Sequence, residues 1–301
     1  MTLQNPTIED LLKQGCALFE ESDLYFGHGT DNPWDEAVFL LSAVLDLPPQ
    51  ADRSLLHQPV TQTQQEQIQA LYTKRIEERV PAPYLTQQAW FCALPFYVDQ
   101  RVIIPRSPIA ELIDNQFRPW CTTAPVRILD LCTGSGCIGI ACAYAFEKAQ
   151  VVLSDISTDA LAVAAINIAS HELEHRVTAL QSDLFDQVAA GDNRQFDLIV
   201  SNPPYVDAED LASMPEEYRH EPGLALASGS DGLDITRRLL REAINYLSEQ
   251  GVLLVEVGNS AVALERAFPT VPFTWLEFEQ GGEGVFVLTR EQLVQHSHSF
   301  T

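Results

Sequence analysis

Residues 126–139 read Val-Arg-Ile-Leu-Asp-Leu-Cys-Thr-Gly-Ser-Gly-Cys-Ile-Gly, an apolar run that leads into a glycine-rich segment. The run at 126–130 predicts a buried strand, and the apolar residues from Ile138 onward predict a helix. Between them stands Gly134-x-Gly136-x-x-Gly139, a spacing typical of turns that approach a nucleotide-like ligand closely. The segment therefore predicts an α/β fold whose ligand site lies where its first strand ends.

Strands and helices alternate through the rest of the chain. Apolar, β-branched runs predict further strands at 151–155, 177–180, 196–200, 252–256, 273–278 and 285–289. Helical periodicity predicts helices at 138–146, 158–170, 232–248 and 260–267. With the first strand, this alternation predicts a seven-stranded, doubly wound Rossmann-like sheet with its ligand site at the carboxyl ends of the strands.

Two carboxylates are expected to reach that ligand. Asp155 ends the second predicted strand, 21 residues after Gly134, where an acid accepts hydrogen bonds from ribose hydroxyls. Asp183 follows the third predicted strand, where a carboxylate can accept from an adenine amino group. A nicotinamide-dependent dehydrogenase also carries a glycine-rich turn followed by an acid, so these residues alone leave both classes of enzyme open.

The motif Asn202-Pro203-Pro204-Tyr205 directly follows the predicted strand at 196–200 and Ser201. Proline has no N–H and fixes its own φ, so the turn offers carbonyl oxygens, and the Asn202 side chain adds another acceptor. Tyr205 supplies a flat face for stacking. These groups suit a planar, neutral amino group, and a dehydrogenase would give them no evident role.

The first 85 residues predict a separate helical domain that lacks a catalytic cluster. Thr7-x-x-Asp10 and Thr63-x-x-Glu66 are read as capping boxes that open two of its helices. Because the domain carries no chemistry of its own, we expect it to recognise a partner or to support the rest of the chain.

Aromatic and β-branched residues over 86–105 predict a hairpin that links the two domains, with its turn at Asp99-Gln100. The predicted domains are therefore residues 1–85, which recognise the substrate, and residues 86–301, which comprise the hairpin linker and the catalytic domain.

Charge and hydropathy limit the possible partners. Lys and Arg number 18 against 42 Asp and Glu, a formal net charge of −24, which repels phosphate backbones and favours a basic protein. An acidic surface also serves solubility, so charge alone does not name the partner. No apolar run reaches about 18 residues and the amino terminus is acidic, so a cytoplasmic location is expected.

His171-Glu172-Leu173-Glu174-His175 matches a zinc-protease pattern, which requires both histidines on one helix. We expect this stretch to lie where a helix ends, so no metal site is predicted.

The glycine-rich turn, Asp183 and the Asn-Pro-Pro-Tyr motif together resemble S-adenosylmethionine-dependent methyltransferases that act on amino groups. In that family the motif marks methylation of adenine N6, cytosine N4 or glutamine N5. Residues 91–98 and 104–111 resemble the linker of the bacterial protein-glutamine N5-methyltransferases, which carry a small helical domain before the catalytic one. Closer similarity is to the branch that methylates large-subunit ribosomal protein L three, in residues 105–108, 130–137, 218–222 and 274–278.

The resemblance implies a class I methyltransferase sheet, S-adenosyl-L-methionine as cofactor, and ribosomal protein L three as substrate, either free or in an assembly intermediate. It implies that the catalytic residues are Asn202, Pro203, Pro204 and Tyr205. It also implies cofactor contacts from Asp130, Thr133, Gly134, Ser135, Gly136, Asp155, Asp183 and Asn202.

Alternatives remain open at the level of the sequence. The same chemistry on peptide-chain release factors is the nearest one. A nucleic-acid amino methyltransferase is opposed by the net charge of −24. A non-enzymatic assembly factor would bind the cofactor without turnover. Arg106 is interpreted equally well as a structural clamp or as a substrate contact.

Overall fold

The computed structural model describes residues 5–48, 51–189 and 195–300. The chain divides into two compact units. The N-terminal unit comprises Met1–Ala89 together with Pro215–His220, and the sheet unit comprises Trp90–Met214 and Glu221–Thr301. The boundary predicted at residue 85 divides the chain at one point. One division point cannot separate these two units, because Pro215–His220 belongs to the N-terminal unit although it lies far along the chain.

The N-terminal unit is helical, with α1 (Ile8–Glu20), α2 (Pro33–Leu45), α3 (Gln62–Glu77) and α4 (Ala82–Thr86). The capping box of Thr7 and Asp10 opens α1, as the sequence predicts. The box predicted at Thr63 is wrong, because Thr61 is the N-cap of α3 and Gln64 completes the box. Glutamine serves at this position as well as glutamate, so the sequence offered two overlapping matches.

An apolar core holds these helices together, with Phe19, Leu40, Leu41, Ile68 and Tyr72 almost fully buried. Beside it lies a buried ion cluster in which Arg75 binds Glu36 of α2 and Glu217 of the Pro215–His220 stretch. Removing one partner from such a cluster strands a buried charge, which typically costs about 3–5 kcal/mol. The cluster therefore fixes Pro215–His220 within the N-terminal unit.

A hairpin follows, formed by β1 (Gln88–Phe91) and β2 (Leu94–Tyr97). Its turn lies at Cys92-Ala93, with φ of +48° and +57°, and the predicted turn at Asp99-Gln100 is wrong. Two consecutive positive φ values are typical of tight hairpin turns, which usually carry Asn-Gly. Cys-Ala gives no such signal, so the sequence pattern misplaced the turn.

The sheet unit contains α5 (Ile109–Asp114), β3 (Arg127–Leu131), α6 (Cys137–Ala145), β4 (Gln150–Asp155), α7 (Thr158–Ser170), β5 (Val177–Gln181), β6 (Phe196–Ser201), α8 (Ala208–Ser213), α9 (Asp234–Glu242), β7 (Leu247–Glu256), α10 (Ala261–Ala267), β8 (Thr274–Trp275), β9 (Val285–Thr289) and α11 (Arg290–Gln295). The strands form one seven-stranded sheet in the order β5-β4-β3-β6-β7-β9-β8. Strands β3 to β7 pair in parallel, and β9 runs antiparallel to both β7 and β8. The predicted seven-stranded α/β sheet is confirmed.

The strand register places the site. β3 pairs with β4 on one side and β6 on the other, so that Leu131 lies beside Ser154 and Ser201. Alternate side chains of β3 fill the cores on the two faces, with Ile128 in one and Leu129 in the other. The segments that follow these three strands therefore leave the same edge of the sheet, where its strand order reverses and ligands bind. Within the described ranges, no helix is long and apolar enough to span a membrane.

Candidate active site

The glycine-rich turn connects β3 to α6. Gly134 and Gly136 have φ of +55° and +83°, which residues with a side chain adopt only at a cost. The Thr133 N–H donates to the Ser154 carbonyl at 3.0 Å, which ties the turn to β4. A Cβ at Gly134 would meet nothing within 4 Å, so this glycine opens the turn toward the ligand site.

Asp130 supports the turn from below. One carboxylate oxygen accepts the Thr133 hydroxyl at 2.5 Å and the Gly139 N–H at 2.9 Å, and the residue has no exposed surface. Burial raises the pKa of Asp130 to about 7. The other oxygen, Oδ1, is buried without a partner among the described residues, so it can accept one further hydrogen bond.

Asp155 ends β4 at the mouth of the site. Its carboxylate accepts the N–H groups of Gly134 and Ser157, each at 2.9 Å. Burial raises the pKa of Asp155, and these backbone hydrogen bonds act in the opposite direction. The side chain is thus held between the glycine-rich turn and the start of α7, where an acceptor for a ligand hydroxyl is expected.

Asn167 also holds the turn, and sequence reasoning missed it. Its Nδ2 donates to the carbonyls of Ser135 at 2.8 Å and Tyr97 at 3.0 Å, and its Oδ1 accepts the Tyr97 N–H at 2.7 Å. The available signal was a single asparagine on the buried face of α7, whose other buried residues are all apolar. This side chain joins the end of the hairpin to the glycine-rich turn.

These segments surround a crevice of about 210 Å³. Of the residues proposed from the sequence, it is lined by Gly134, Asp155, Asp183, Asn202 and Pro204. The others do not line it: Asp130 lies within β3, and the adjoining turns hold Thr133, Ser135, Gly136, Pro203 and Tyr205. The individual role of each of these residues stays a prediction.

Asp183 lines the crevice together with a basic partner that sequence reasoning missed. Arg238 of α9 donates to Asp183 Oδ1 at 2.7 Å, and both side chains line the crevice. The pKa of Arg238 is raised, chiefly by this hydrogen bond. A carboxylate has two oxygens, so Asp183 Oδ2 keeps its capacity to accept from a ligand amino group.

The Asn-Pro-Pro-Tyr motif is anchored at its far end. The Tyr205 carbonyl accepts the Ser260 hydroxyl at 2.8 Å, and the Val206 N–H donates to the Leu226 carbonyl at 2.8 Å. The Tyr205 ring lies against Gly258, where a Cβ would come within 2.6 Å of a ring carbon. The turn therefore presents Asn202 and Pro204 to the crevice from a fixed base.

Glu256 is a buried carboxylate behind this motif, and sequence reasoning missed it as well. It accepts hydroxyls from Ser107 at 2.5 Å and Tyr205 at 3.1 Å. Burial raises the pKa of Glu256, while hydrogen bonds from Ser107, Tyr205 and Asn202 and the charge of Arg106 act in the opposite direction. The carboxylate thus faces several donors around the Asn-Pro-Pro-Tyr motif.

Arg106 is a structural clamp in this structure. Its guanidinium forms a two-pronged ion pair with Glu221 at 2.5 and 2.7 Å, and it also donates to the Ile104 carbonyl at 3.1 Å. The same carboxylate accepts the Ile104 N–H at 3.0 Å. Of the two interpretations of Arg106, these contacts favour the structural one.

The zinc-like pattern lies outside a helix. α7 ends at Ser170, and the His171 ring contacts the Tyr144 hydroxyl at 3.0 Å and the Pro95 carbonyl at 2.9 Å. Across the parts of the chain that the structure describes, no group of three or more His, Cys, Asp or Glu side chains is placed to hold a metal ion.

Comparison with known proteins identifies the family. The Methyltransferase small domain model matches residues 118–216, and the PrmC N-terminal domain model matches residues 10–86. A protein from Francisella tularensis subsp. tularensis is 48% identical over 98% of this chain and 93% of its own length. One from Neisseria gonorrhoeae is 49% identical over 96% of each chain, and both are named ribosomal protein uL3 glutamine methyltransferase. The chain belongs to the family of ribosomal protein uL3 glutamine methyltransferases.

Proposed function

We propose that this protein methylates the N5 amide nitrogen of a glutamine in ribosomal protein uL3. The observation that supports this substrate is the identity of 48% and 49%, over nearly the whole chain, with two relatives that bear that name. The enzyme uses S-adenosylmethionine, which supplies an electrophilic methyl group on a sulfonium. We infer that it acts in the cytoplasm.

The crevice has suitable groups for that cofactor. Asp155 offers a carboxylate at the end of β4 for ribose hydroxyls, and Asp183 offers its second oxygen for an amino group. Beneath the turn, Asp130 Oδ1 is a buried acceptor with no partner among the described residues. We propose that Asp155, Asp183 and the backbone of Gly134 hold the cofactor, and that Asp130 supports the turn from beneath.

The acceptors of the Asn-Pro-Pro-Tyr motif would activate the substrate. An amide nitrogen is a weak nucleophile because its lone pair is delocalised into the carbonyl. The Asn202 side-chain oxygen and the Pro203 carbonyl would accept the two N–H groups and favour a pyramidal nitrogen. Such fixed dipoles stabilise charge that develops in the transition state. Once methylated, the nitrogen is positively charged and releases its proton to water.

The partner is proposed to be recognised as a basic protein rather than through nucleic acid. The net charge of −24 supports this, because phosphate binding depends on Lys and Arg contacts. Free uL3 and an assembly intermediate are both compatible with this charge. Added RNA should therefore not compete with free uL3 for the enzyme.

Mass spectrometry tests the function directly. Ribosomal proteins and release factors are compared from cells with and without this protein, and purified uL3 is treated with enzyme and labelled S-adenosylmethionine. We expect one methyl group on a uL3 glutamine, and none when that glutamine is replaced by alanine. Methylation of release factors with uL3 unmodified would assign the enzyme to the alternative substrate, and NADH oxidation without methyl transfer would contradict the reaction.

A further inference from the structure

Glu256 is placed behind the catalytic motif but outside the crevice. It is the last residue of β7, next to β6 in the sheet, and β6 leads directly into Asn202. Its side chain is 5% exposed and does not line the crevice. The carboxylate can therefore act on the substrate only through the side chains that it holds.

The groups around this carboxylate are hydrogen-bond donors. The Ser107 hydroxyl donates to one oxygen at 2.5 Å, and the Tyr205 hydroxyl donates to the other at 3.1 Å. Ser201, the residue before Asn202, pairs in parallel with Val255, the residue before Glu256, so the Asn202 amide lies beside the carboxylate and within reach of a hydrogen bond to it. Both carboxylate oxygens act as acceptors in these contacts, so a hydrogen bond from Asn202 to Glu256 uses its Nδ2 donor.

That bond decides which end of the Asn202 amide reaches the substrate. With Nδ2 turned toward Glu256, the Oδ1 acceptor is left for the crevice, which Asn202 lines. A flipped amide would instead present a donor to the N–H groups of the substrate glutamine, and two donors repel each other. The chemistry of the neighbour, rather than that of Asn202 itself, thus selects the productive orientation.

We propose that Glu256 is a positioning residue that holds the Asn202 amide with its oxygen toward the substrate and fixes Tyr205 beside it. This inference rests on the proposed function, because it assumes that Asn202 accepts a hydrogen bond from the glutamine amide. The surroundings hold the carboxylate in place. Gly258, two residues later, lies directly against the Tyr205 ring, so the segment after β7 packs on the motif.

Glu256→Gln is the first test, because it keeps the size of the side chain and replaces one acceptor with a donor. The new donor at position 256 can pair with Asn202 Oδ1, which would rotate the Asn202 amide and turn its Nδ2 toward the substrate. We expect single-turnover methyl transfer to uL3 to slow about 10–10²-fold, less than the roughly 10²–10³-fold seen when a preorganised partner is removed, because Asn202 itself is kept. Affinity for S-adenosylmethionine, measured by calorimetry, should be unchanged. A normal rate would overturn the proposal.

A double variant that exchanges the donor and the acceptor between positions 202 and 256 distinguishes positioning of Asn202 from simple support of the fold. Asn202→Asp combined with Glu256→Gln places the donor at position 256 and only acceptors at position 202. Whichever way it turns, the new carboxylate presents an oxygen to the crevice. We expect this double variant to be about 10-fold faster than Glu256→Gln alone, since one orienting hydrogen bond is restored. A double variant no faster than the single one would show that Glu256 only supports the fold.

Asp197→Asn is the matched control. Asp197 lies at the opposite end of β6, where it accepts the Ser248 hydroxyl at 2.9 Å and the Val126 N–H at 2.8 Å. This variant should lower the unfolding temperature and leave the rate per folded molecule unchanged. If Glu256→Gln does not fold, Glu256→Asp keeps the charge one methylene farther from Asn202 and should slow transfer about 10-fold. A wild-type rate in that variant would overturn the proposal.

Activity of the wild-type enzyme distinguishes an error in the proposed function from an error in the role of Glu256. If the wild-type enzyme methylates no glutamine of uL3, the proposed function is wrong. If the wild-type enzyme methylates uL3 and the Glu256 variants do so equally well, only the positioning role is wrong.

Discussion

At the scale of single residues, Asn202 is the side chain whose loss should affect the chemistry most directly. Asn202→Ala removes an acceptor whose hydrogen bond strengthens as charge develops on the substrate nitrogen. We expect turnover to fall about 10²–10³-fold, the range seen for one preorganised partner. Cofactor affinity should change little, because the turn is anchored through Tyr205 and Val206. Single-turnover methyl transfer measures the effect, and a near-normal rate would reduce Asn202 to a turn former.

Asp155 should control the cofactor instead. Asp155→Ala removes a charged acceptor from the ribose hydroxyls and should weaken S-adenosylmethionine binding by about 2–3 kcal/mol. Part of this loss comes from the Gly134 and Ser157 N–H groups, which lose their acceptor. Asp159→Ala, on the exposed side of α7, is the control. Calorimetry that finds tight NAD binding and no S-adenosylmethionine binding would contradict the assignment.

Site residues next to a recognisable motif could be proposed from the sequence, and residues that act through distant partners could not. Asp155 and Asn202 end or follow predicted strands, so their placement at the crevice followed from the α/β pattern. Arg238 meets Asp183 across 55 residues, and Glu256 meets Tyr205 across 51. The one available signal for Glu256 was its place at the end of a predicted strand.

At the scale of elements, the start of α3 provides a matched pair of threonines. Thr61 is the N-cap and accepts the Gln64 N–H, whereas Thr63 is an exposed residue of the first turn. Thr61→Ala should lower the free energy of unfolding of the N-terminal unit by about 1 kcal/mol, the usual cost of losing a cap. Thr63→Ala should have a much smaller effect. Equal losses in equilibrium unfolding of the two variants would contradict this cap.

Alanine variants of Gly258 and Gly281 distinguish the effect of backbone strain from the effect of contact with the Asn-Pro-Pro-Tyr motif. Both have positive φ, +44° and +86°, so alanine at either position should cost about 1–3 kcal/mol of stability. Only at Gly258 would the new Cβ meet Tyr205, at 2.6 Å, while nothing lies within 4 Å of Gly281. We expect Gly258→Ala to reduce turnover and Gly281→Ala to leave it intact. Thermal unfolding and turnover are measured on both variants. A Gly258→Ala enzyme with normal turnover would contradict the role of the contact with Tyr205.

Periodicity predicted the central strands well because they are mostly buried between two cores and are long enough to carry a pattern. The edge strand β8 comprises only Thr274–Trp275, both half-buried, and is shorter than the predicted strand at 273–278. β3, β4 and β6 all lie within one or two residues of their predicted bounds. The hairpin turn failed because Cys92 and Ala93 carry none of the composition that marks a positive-φ turn. The N-cap of α3 was predicted at the wrong threonine because two overlapping capping boxes fitted the same rule.

At the scale of the whole molecule, long-range ion pairs shape the division into units in a way that sequence reasoning could not reach. Glu217 joins the N-terminal unit through Arg75, 142 residues away in the chain. Nothing in the local sequence around Pro215–His220 marks this return. By contrast, the sign of the overall field follows from composition alone, since a net charge of −24 requires no knowledge of the fold.

That field should accelerate encounter with a basic substrate. Residues 1–85 carry 5 basic and 13 acidic side chains, a formal charge of −8, so the N-terminal unit shares in the field. We expect the association rate with uL3, measured by stopped flow, to fall steeply as salt rises, because screening shortens the range of steering. A rate that does not change with salt would contradict electrostatic steering.

Two charge variants locate the surface that steers the substrate. One neutralises three exposed acids of the N-terminal unit, Glu20, Glu21 and Asp23. The matched variant neutralises three exposed acids of the sheet unit, Glu277, Glu279 and Glu283. Both change the net charge equally, so any general field effect is the same. If the N-terminal unit recognises uL3, the first variant should slow association more than the second at low salt, and the difference should vanish at high salt. Equal slowing would leave only the general field, and the proposed recognition role of the N-terminal unit would be wrong.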